Sequence, residues 1–185
     1  MEIMDTDRLV PQHFDCGAEL SPDGIYRYTL TRGWDEGPCV AWLMFNPSTA
    51  DASIDDQTIR KCIGFSKYFG YGRMIVVNLY AVRSRDPGFV AYMGQSAIGP
   101  LNDYWIWKSV DEASEVICAW GCAQHWADTE RRAKEVLEFI HQAMWVNFRK
   151  PISCLGYRKD GHPKHPLMLP YTTQRVPFEL SALNS

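Results

Sequence analysis

An uninterrupted apolar run that ends abruptly in a polar turn is the feature that most constrains how this chain folds. The run extends from Cys39 to Phe45, and Pro38 and Pro47 lie on either side of it. Apolar runs of this length between turn residues are typical of strands that are buried on both faces, and such strands belong to parallel sheets covered by helices. The run therefore predicts an α/β protein in which this strand lies inside the sheet.

The turn after this strand is a candidate site. Ligands of open α/β sheets bind at the carboxyl ends of the strands. The polar residues that the turn places at this end are Asn46, Ser48, Thr49 and Asp51.

Strands and helices alternate along the rest of the chain. Apolar or alternating runs predict strands over residues 26–30, 74–80, 115–120 and 152–156, and amphipathic spacing predicts helices over residues 57–69, from 102 onward and over 128–145. This alternation predicts a three-layer α/β/α sandwich with a mostly parallel central sheet of about four strands. We expect one domain over residues 1–185, in which residues 1–37 form an N-terminal strand and loop extension.

Composition excludes several classes of protein. Hydrophobic residues make up 46% of the 185 residues, charged residues make up 22%, and the net charge is -3, so we expect neither disorder nor a strongly basic nucleic-acid coat. The sequence has neither a signal-peptide pattern nor a membrane-spanning run, which predicts a cytoplasmic protein without a membrane partner. The six cysteines are scattered, and we expect reduced core thiols, no metal site and no cofactor.

Polar side chains occur at the ends of several predicted strands. Asn46 follows the first apolar strand, Asn78 lies near the end of the next, and His165 follows the last. Because the carboxyl ends of parallel strands meet at one edge of a sheet, we expect these three side chains to share a cleft. Each residue alone also fits a structural role, since Asn46 can cap a turn, Asn78 can hold loop backbone and His165 can be an exposed loop histidine.

These residue types suit chemistry on a base. An asparagine amide such as that of Asn78 offers two donors and one acceptor, which match the edge of a base. A histidine such as His165 can donate to an oxygen on which negative charge develops. Asn46 can orient a water molecule, and the candidate general bases are Asp51, Asp55 and Asp56. Capping of the helix that follows is the alternative role of Asp55 and Asp56.

A basic loop precedes His165. Its cationic residues Arg158, Lys159 and Lys164 can hold phosphate groups beside the cleft, although a solvated loop fits the same sequence. Arg83 and Arg85 follow the second apolar strand and are expected at the same edge. DNA or a nucleotide is therefore the expected partner.

Two resemblances follow from longer motifs. L-M-F-N-P-S-T-A-D, V-V-N-L-Y-A and H-P-L make the chain resemble a bacterial and phage family known only as a domain of unknown function. More distantly, L-M-F-N-P-S, V-V-N-L, I-C-A-W-G and K-H-P-L resemble motifs of the uracil-DNA glycosylase-like superfamily. That second resemblance implies the fold of the superfamily and a water positioned by Asn46, a base read by Asn78 and a leaving base stabilised by His165. It also implies an aromatic side chain that stacks on the base, for which the candidates are Phe45, Tyr80 and Trp120.

The resulting hypothesis is a base- or nucleotide-directed enzyme that acts on DNA, in the manner of a DNA glycosylase that hydrolyses a modified base from its sugar. In this hypothesis Asn46, Asp51 and His165 are catalytic, and Ser48 helps Asn78 to bind the base. One alternative is a transferase that joins a small amine donor to an activated hypermodified pyrimidine in phage DNA. Others are a non-catalytic nucleic-acid or nucleotide binding module and a metal-dependent phosphohydrolase that uses Asp51, Asp55 and Asp56.

Overall fold

A computed structural model describes residues 15–48, 50, 54–121, 128–146 and 150–184 of the chain. Within these residues the strands are β1 (Asp15–Leu20), β2 (Arg27–Gly33), β3 (Cys39–Met44), β4 (Arg73–Asn78), β5 (Glu115–Cys118), β6 (Ile152–Cys154) and β7 (Val176–Pro177). The α-helices are α1 (Gln57–Tyr68), α2 (Pro87–Met93), α3 (Asn102–Glu112) and α4 (Thr129–Val146). Short 3₁₀ helices cover Gly94–Ala97, Pro166–Met168 and Leu180–Asn184.

All seven described strands form one mixed sheet in the order β1-β2-β4-β3-β5-β6-β7. The four inner strands β4, β3, β5 and β6 are parallel, whereas β1, β2 and β7 are joined to the sheet by antiparallel pairings. In the pairing of β3 with β4, Met44 lies opposite Asn78 at the last position. The carboxyl ends of these two strands therefore lie next to each other.

The prediction of a mostly parallel sheet of about four strands is wrong, because the sheet has seven strands and three of its pairings are antiparallel. Residues 15–33 form β1 and β2, and β2 pairs directly with β4, so the described part of the N-terminal segment belongs to the sheet. The sequence of β1 mixes polar and small residues, and β7 has only two residues. Neither strand therefore carries a periodic signal. The expected uracil-DNA glycosylase-like fold, with its mostly parallel sheet of about four strands, is therefore not what the structure shows.

Alternation along β3 directs its side chains into two separate cores. Ala41 and Leu43 pack with side chains of α2, α3 and α4 on one face of the sheet. Trp42 and Met44 pack with side chains of α1 on the other face. All six residues of β3 are buried, as expected for a strand covered by helices on both faces.

The predicted acidic cap of α1 is confirmed. Asp56 is the N-cap residue, and its side chain accepts a hydrogen bond from the backbone N–H of Ile59 at 2.9 Å. The neighbouring Asp55 forms an ion pair with the buried Arg32 of β2 at 2.8 Å. Gly70, with φ of 84°, follows the last turn of α1 as the sequence predicts. The cap fixes the start of α1 at the carboxyl end of the sheet.

Of the described cysteines, Cys39, Cys62, Cys118 and Cys154 are buried, whereas Cys16 is exposed. None of the described helices is both long enough and apolar enough to span a membrane.

Removal of side-chain volume from the centre of β3 is expected to destabilise the protein strongly. Leu43→Ala leaves a cavity in a fully buried position, so the free energy of unfolding should fall by about 2–5 kcal/mol. Leu20→Ala is the matched control, because Leu20 is 42% exposed on the edge strand β1, and its effect should be within about 0.5 kcal/mol. Urea denaturation followed by circular dichroism measures both values. Equal losses in the two variants would contradict the central position of β3.

Candidate functional site

A pocket of about 240 Å³ opens at the carboxyl ends of β3 and β4, beside the first turn of α1. Its volume lies below the range of about 300–1,000 Å³ that is typical of pockets for drug-sized ligands, so it suits a single ring system. The pocket wall combines apolar with polar and charged groups. Its residues are Arg27, Met44, Phe45, Asn46, Ser48, Asp56, Thr58, Ile59, Val76, Asn78, Ser84, Arg85, Pro87, Trp120 and His165.

Half of the residues that the sequence singles out lie in this pocket. Those that line it are Phe45, Asn46, Ser48, Asp56, Asn78, Arg85, Trp120 and His165. Asp55, Tyr80, Arg83, Arg158, Lys159 and Lys164 are not part of its wall. Asp51 and Thr49 lie outside the described residues.

Asn78 presents a hydrogen-bond donor that nothing in the described protein accepts. The residue is 1% exposed, and its side-chain Nδ2 is buried without a hydrogen-bond partner. A buried donor without an acceptor costs about 1–3 kcal/mol, so folded proteins contain few of them. Asn78 lines the pocket, so its amide lies beside the space that a ligand would occupy.

The backbone around Asn78 is held by two buried side chains that the sequence analysis did not select for the site. Asn102 donates from Nδ2 to the carbonyl oxygens of Asn78 and Leu79 at 3.0 and 3.1 Å. Arg132 of α4 donates from Nε to the carbonyl oxygen of Leu79 at 3.0 Å. Helices α3 and α4 therefore fix the strand end that carries Asn78.

His165 is positioned with one nitrogen occupied. Its Nδ1 accepts a hydrogen bond from the backbone N–H of Leu167 at 3.2 Å, so the neutral ring carries its proton on Nε2. Burial lowers the pKa of His165 from its ordinary value of 6.5, and the Asp56 carboxylate opposes that shift. The imidazole is therefore neutral at pH 7 and acts as a hydrogen-bond donor through Nε2.

A glycine permits the close approach of His165 to the end of β5. Gly121 has φ of 71°, and a Cβ atom at this position would lie 3.0 Å from Cβ of His165. A larger residue would meet both the strained backbone and this contact.

Asn46 joins the segments that follow β3 and β4. Its Nδ2 donates to the carbonyl oxygens of Pro47 at 3.0 Å, Ser84 at 2.9 Å and Val82 at 3.4 Å. The turn-capping role that the sequence left open is thus present in the structure. Since the described hydrogen bonds of this side chain use only the nitrogen, its oxygen remains as the acceptor for a water molecule or a ligand.

Of the candidate carboxylates that the structure describes, one lies in the pocket. Asp56 lines the wall with one oxygen engaged in the cap of α1, whereas Asp55 is paired with Arg32. Among the described residues, no group of three or more His, Cys, Asp or Glu side chains could hold a metal ion.

The aromatic candidates differ in position. Trp120 is 2% exposed, and its Nε1 donates to Nδ1 of the buried His162 at 3.0 Å, which fixes the indole as one wall of the pocket. Phe45 forms another part of the wall. The ring of Tyr80 packs edge-on against Phe45 with centroids 5.3 Å apart and lines a second pocket of about 280 Å³.

The basic candidates also differ in position. Arg85 is exposed and lines the pocket, whereas Arg83 donates from Nη1 to the carbonyl oxygen of Gly24 at 3.3 Å. Arg158 forms an ion pair with Asp160 at 3.2 Å. Lys159 and Lys164 are exposed on the loop before His165.

Arg27, Thr58 and Ser84 are pocket residues that sequence reasoning missed. Arg27 is buried at the start of β2 and donates from Nη1 to the carbonyl oxygen of Ala50. Its position depends on the pairing of β2 with β4, for which the local sequence gives no signal. His162, which holds Trp120, lies in the basic loop, and the sequence alone assigns it no role at the site.

The sequence model of the family described as "Protein of unknown function (DUF1643)" matches residues 27–167. The chain belongs to this family. The matched range contains every residue that lines the pocket. Searches among curated proteins and among solved structures found no match. The resemblance to a family of unknown function is confirmed, and the comparisons give no support to the more distant superfamily resemblance.

The bond between Trp120 and His162 should make stability depend on pH. Burial lowers the pKa of His162 from 6.5, so the unfolded chain binds more protons than the folded one, and the stabilisation present above about pH 6.5 is lost as the pH falls. His162→Asn keeps an acceptor for Trp120 without a titrating ring and should reduce the decrease in unfolding free energy between pH 7.5 and 5.5. Denaturation at both pH values measures this decrease. The exposed His141→Asn is the control, and an identical decrease in all three proteins would contradict the prediction.

Substitution by leucine should have different effects on the free energy of unfolding at two buried asparagines, Asn78 and Asn102. Asn78→Leu removes a donor that has no partner, so the ligand-free protein should be as stable as the wild type or more stable. Asn102→Leu removes two hydrogen bonds to strand-end carbonyl groups and should cost about 1–3 kcal/mol. Denaturation of both variants at pH 7.5 tests this contrast. A clear loss of stability in Asn78→Leu would show that its amide has a structural role.

Proposed function

We propose that this chain is a base-directed enzyme that acts on DNA and hydrolyses the bond between a modified base and its sugar. The observation that carries the proposal is the buried, unpartnered Nδ2 of Asn78 in a pocket that also contains His165. An unused donor at the end of a central strand is costly to the free protein. A ligand acceptor that compensates this cost explains why the donor is there.

Recognition of a base follows from the chemistry of the amide. Bases present carbonyl oxygens and ring nitrogens along their edges, and an asparagine side chain can donate to one such acceptor while it accepts from a neighbouring group. The apolar wall of Phe45 and Trp120 supplies ring surfaces beside Asn78. The volume of about 240 Å³ leaves no room for a base pair, so the base enters alone.

His165 supplies the stabilisation of the leaving group in this proposal. When the bond between C1′ and the base nitrogen breaks, its electron pair moves onto the base, and negative charge develops on a carbonyl oxygen of that base. The Nε2–H of neutral His165 can donate to this oxygen. A neutral donor favours this step because it is present at pH 7 without a change of protonation state.

In the same proposal, Asn46 orients the attacking water molecule and Asp56 acts as its general base. The oxygen of Asn46 accepts one hydrogen of a water molecule, whose oxygen forms the new bond to C1′ of the sugar. The carboxylate of Asp56 accepts the proton that this water loses. The capping bond occupies only one lone-pair region of the carboxylate, so the cap and the base function are compatible.

Phosphate contacts come from the rim of the pocket. Arg85 is exposed where the wall meets the surface, and Lys164 precedes His165 directly. Cations in such positions hold the DNA backbone and set its register without reading the sequence. With a net charge of -3, binding should rest on a few local contacts.

The test is an assay of base release from oligonucleotides that contain uracil, 5-hydroxymethyluracil or other modified pyrimidines. Wild-type protein should release one of these bases and leave an abasic site that alkali cleaves. His165→Ala should lower the rate about 10²–10³-fold, the typical effect of removing one donor to a developing oxyanion. Asn78→Leu should also lose activity, although its fold is retained. His141→Ala is the control, because His141 is exposed on α4 outside the pocket.

The same experiment distinguishes the alternatives. If wild-type protein and His165→Ala both release no base from any substrate, the hydrolase proposal is wrong. A product of increased mass, formed from an activated pyrimidine and an amine, would indicate a transferase. Salt-dependent binding without any product would indicate a binding module.

A further inference from the structure

We propose that Phe89 and Tyr92 of α2 form a stacking surface for a nucleotide next to the base in the pocket, so that the chain binds single-stranded rather than duplex DNA. This inference rests on the proposed function, because it names the form of DNA that the same site takes. We call Phe89 and Tyr92 together the α2 aromatic surface.

The α2 aromatic surface consists of two exposed rings in contact. Phe89 is 43% exposed and Tyr92 is 86% exposed. Their ring centroids are 6.3 Å apart with an interplanar angle of 27°, so the two rings are nearly parallel. Large aromatic side chains exposed side by side are typical of binding surfaces. Parallel rings present flat faces of the kind on which bases stack.

The rings are held by a short but well-anchored helix. Val90 lies between them in sequence and is fully buried in the core beneath the sheet. Asp86 caps α2 by accepting a hydrogen bond from the backbone N–H of Gly88 at 2.8 Å. The backbone that carries the α2 aromatic surface is therefore anchored, and little backbone entropy remains to be lost on binding.

The α2 aromatic surface belongs to a helix that starts at the pocket. Ser84, Arg85 and Pro87 line the pocket, and Pro87 is the first residue of α2. Tyr92 follows Pro87 by five residues, which at 1.5 Å per residue corresponds to about 7.5 Å along the helix axis. The rings are therefore carried by a helix one end of which lies at the pocket, so that a short stretch of one DNA strand can reach both.

Charge and stacking together favour a single strand. The faces of bases inside a duplex are covered by their neighbours, so exposed aromatic rings can stack only on unpaired bases. Arg85 is exposed, lines the pocket and precedes the first residue of α2 by two positions, so it can hold a phosphate of the same strand. An unpaired base also enters the pocket without the energy of unpairing. A chain with a net charge of -3 gains more from these contacts than from a long duplex track.

The test measures binding of labelled 12-nucleotide DNA by fluorescence anisotropy, with the same sequence as a single strand and as a duplex. Wild-type protein should bind the single strand more tightly. Phe89→Ala combined with Tyr92→Ala should weaken this binding about 5–150-fold, the range that corresponds to the loss of one base–aromatic stack. Tyr92→Phe should bind as the wild type does, because it keeps the ring.

Two further variants sharpen the test. Tyr68→Ala is the matched control, because Tyr68 is 51% exposed but lies at the end of α1 remote from the pocket. Its affinity should equal that of the wild type. Arg85→Ala should reduce the slope of log affinity against log salt by about 0.7, the value for one phosphate contact to a single strand.

The inference is overturned if the double variant binds the single strand as wild type does, or if the duplex binds as tightly as the single strand. Base release that depends on Asn78, together with unchanged binding by the double variant, would reject only the α2 aromatic surface. Tight single-strand binding that depends on Tyr92, without any base release, would support the surface and reject the hydrolase proposal. The two proposals can therefore fail separately.

Discussion

The parallel pairing of β3 with β4 is the interaction on which the rest of the site depends. The register places Met44 opposite Asn78, and the ladder continues past the strands, because Leu79 donates to Met44 and Tyr80 donates to Phe45 through their backbone N–H groups at 2.9 and 3.0 Å. The segments that follow β3 and β4 therefore leave the sheet side by side. The side-chain bonds of Asn46 then tie the two departing segments to each other. A shift of one residue would turn Asn78 to the opposite face of the sheet and remove it from the pocket.

The sequence predicted the inner strands and the grouping of the polar strand ends, but not the edges of the sheet. Long apolar runs carry a strong signal, and the geometry of parallel strands then brings Asn46, Asn78 and His165 together. Strands β1 and β7 have no such signal, since β1 mixes polar with small residues and β7 has only two residues. Arg27 could not be recognised as a pocket residue because its place depends on the pairing of β2 with β4, which is remote in sequence.

The aromatic candidates show a finer limit of sequence reasoning. Phe45 and Tyr80 both follow the end of a parallel strand, yet only Phe45 lines the candidate site. Alternation predicts the direction of side chains within a strand, but it no longer applies once the chain has left the ladder. The direction of these rings depends instead on their packing against each other and on the segment after β4. Only the three-dimensional structure resolves that difference.

Gly121 links the backbone of β5 to the chemistry proposed for His165. A methyl group at this position would lie 3.0 Å from Cβ of His165. His165 can therefore approach the end of β5 this closely because residue 121 has no side chain. A single added carbon at residue 121 would therefore force Cβ of His165 to move by a few tenths of an ångström, and the ring would move with it. The position of His165 next to β5 thus depends on the main chain at residue 121, whichever base the pocket accepts.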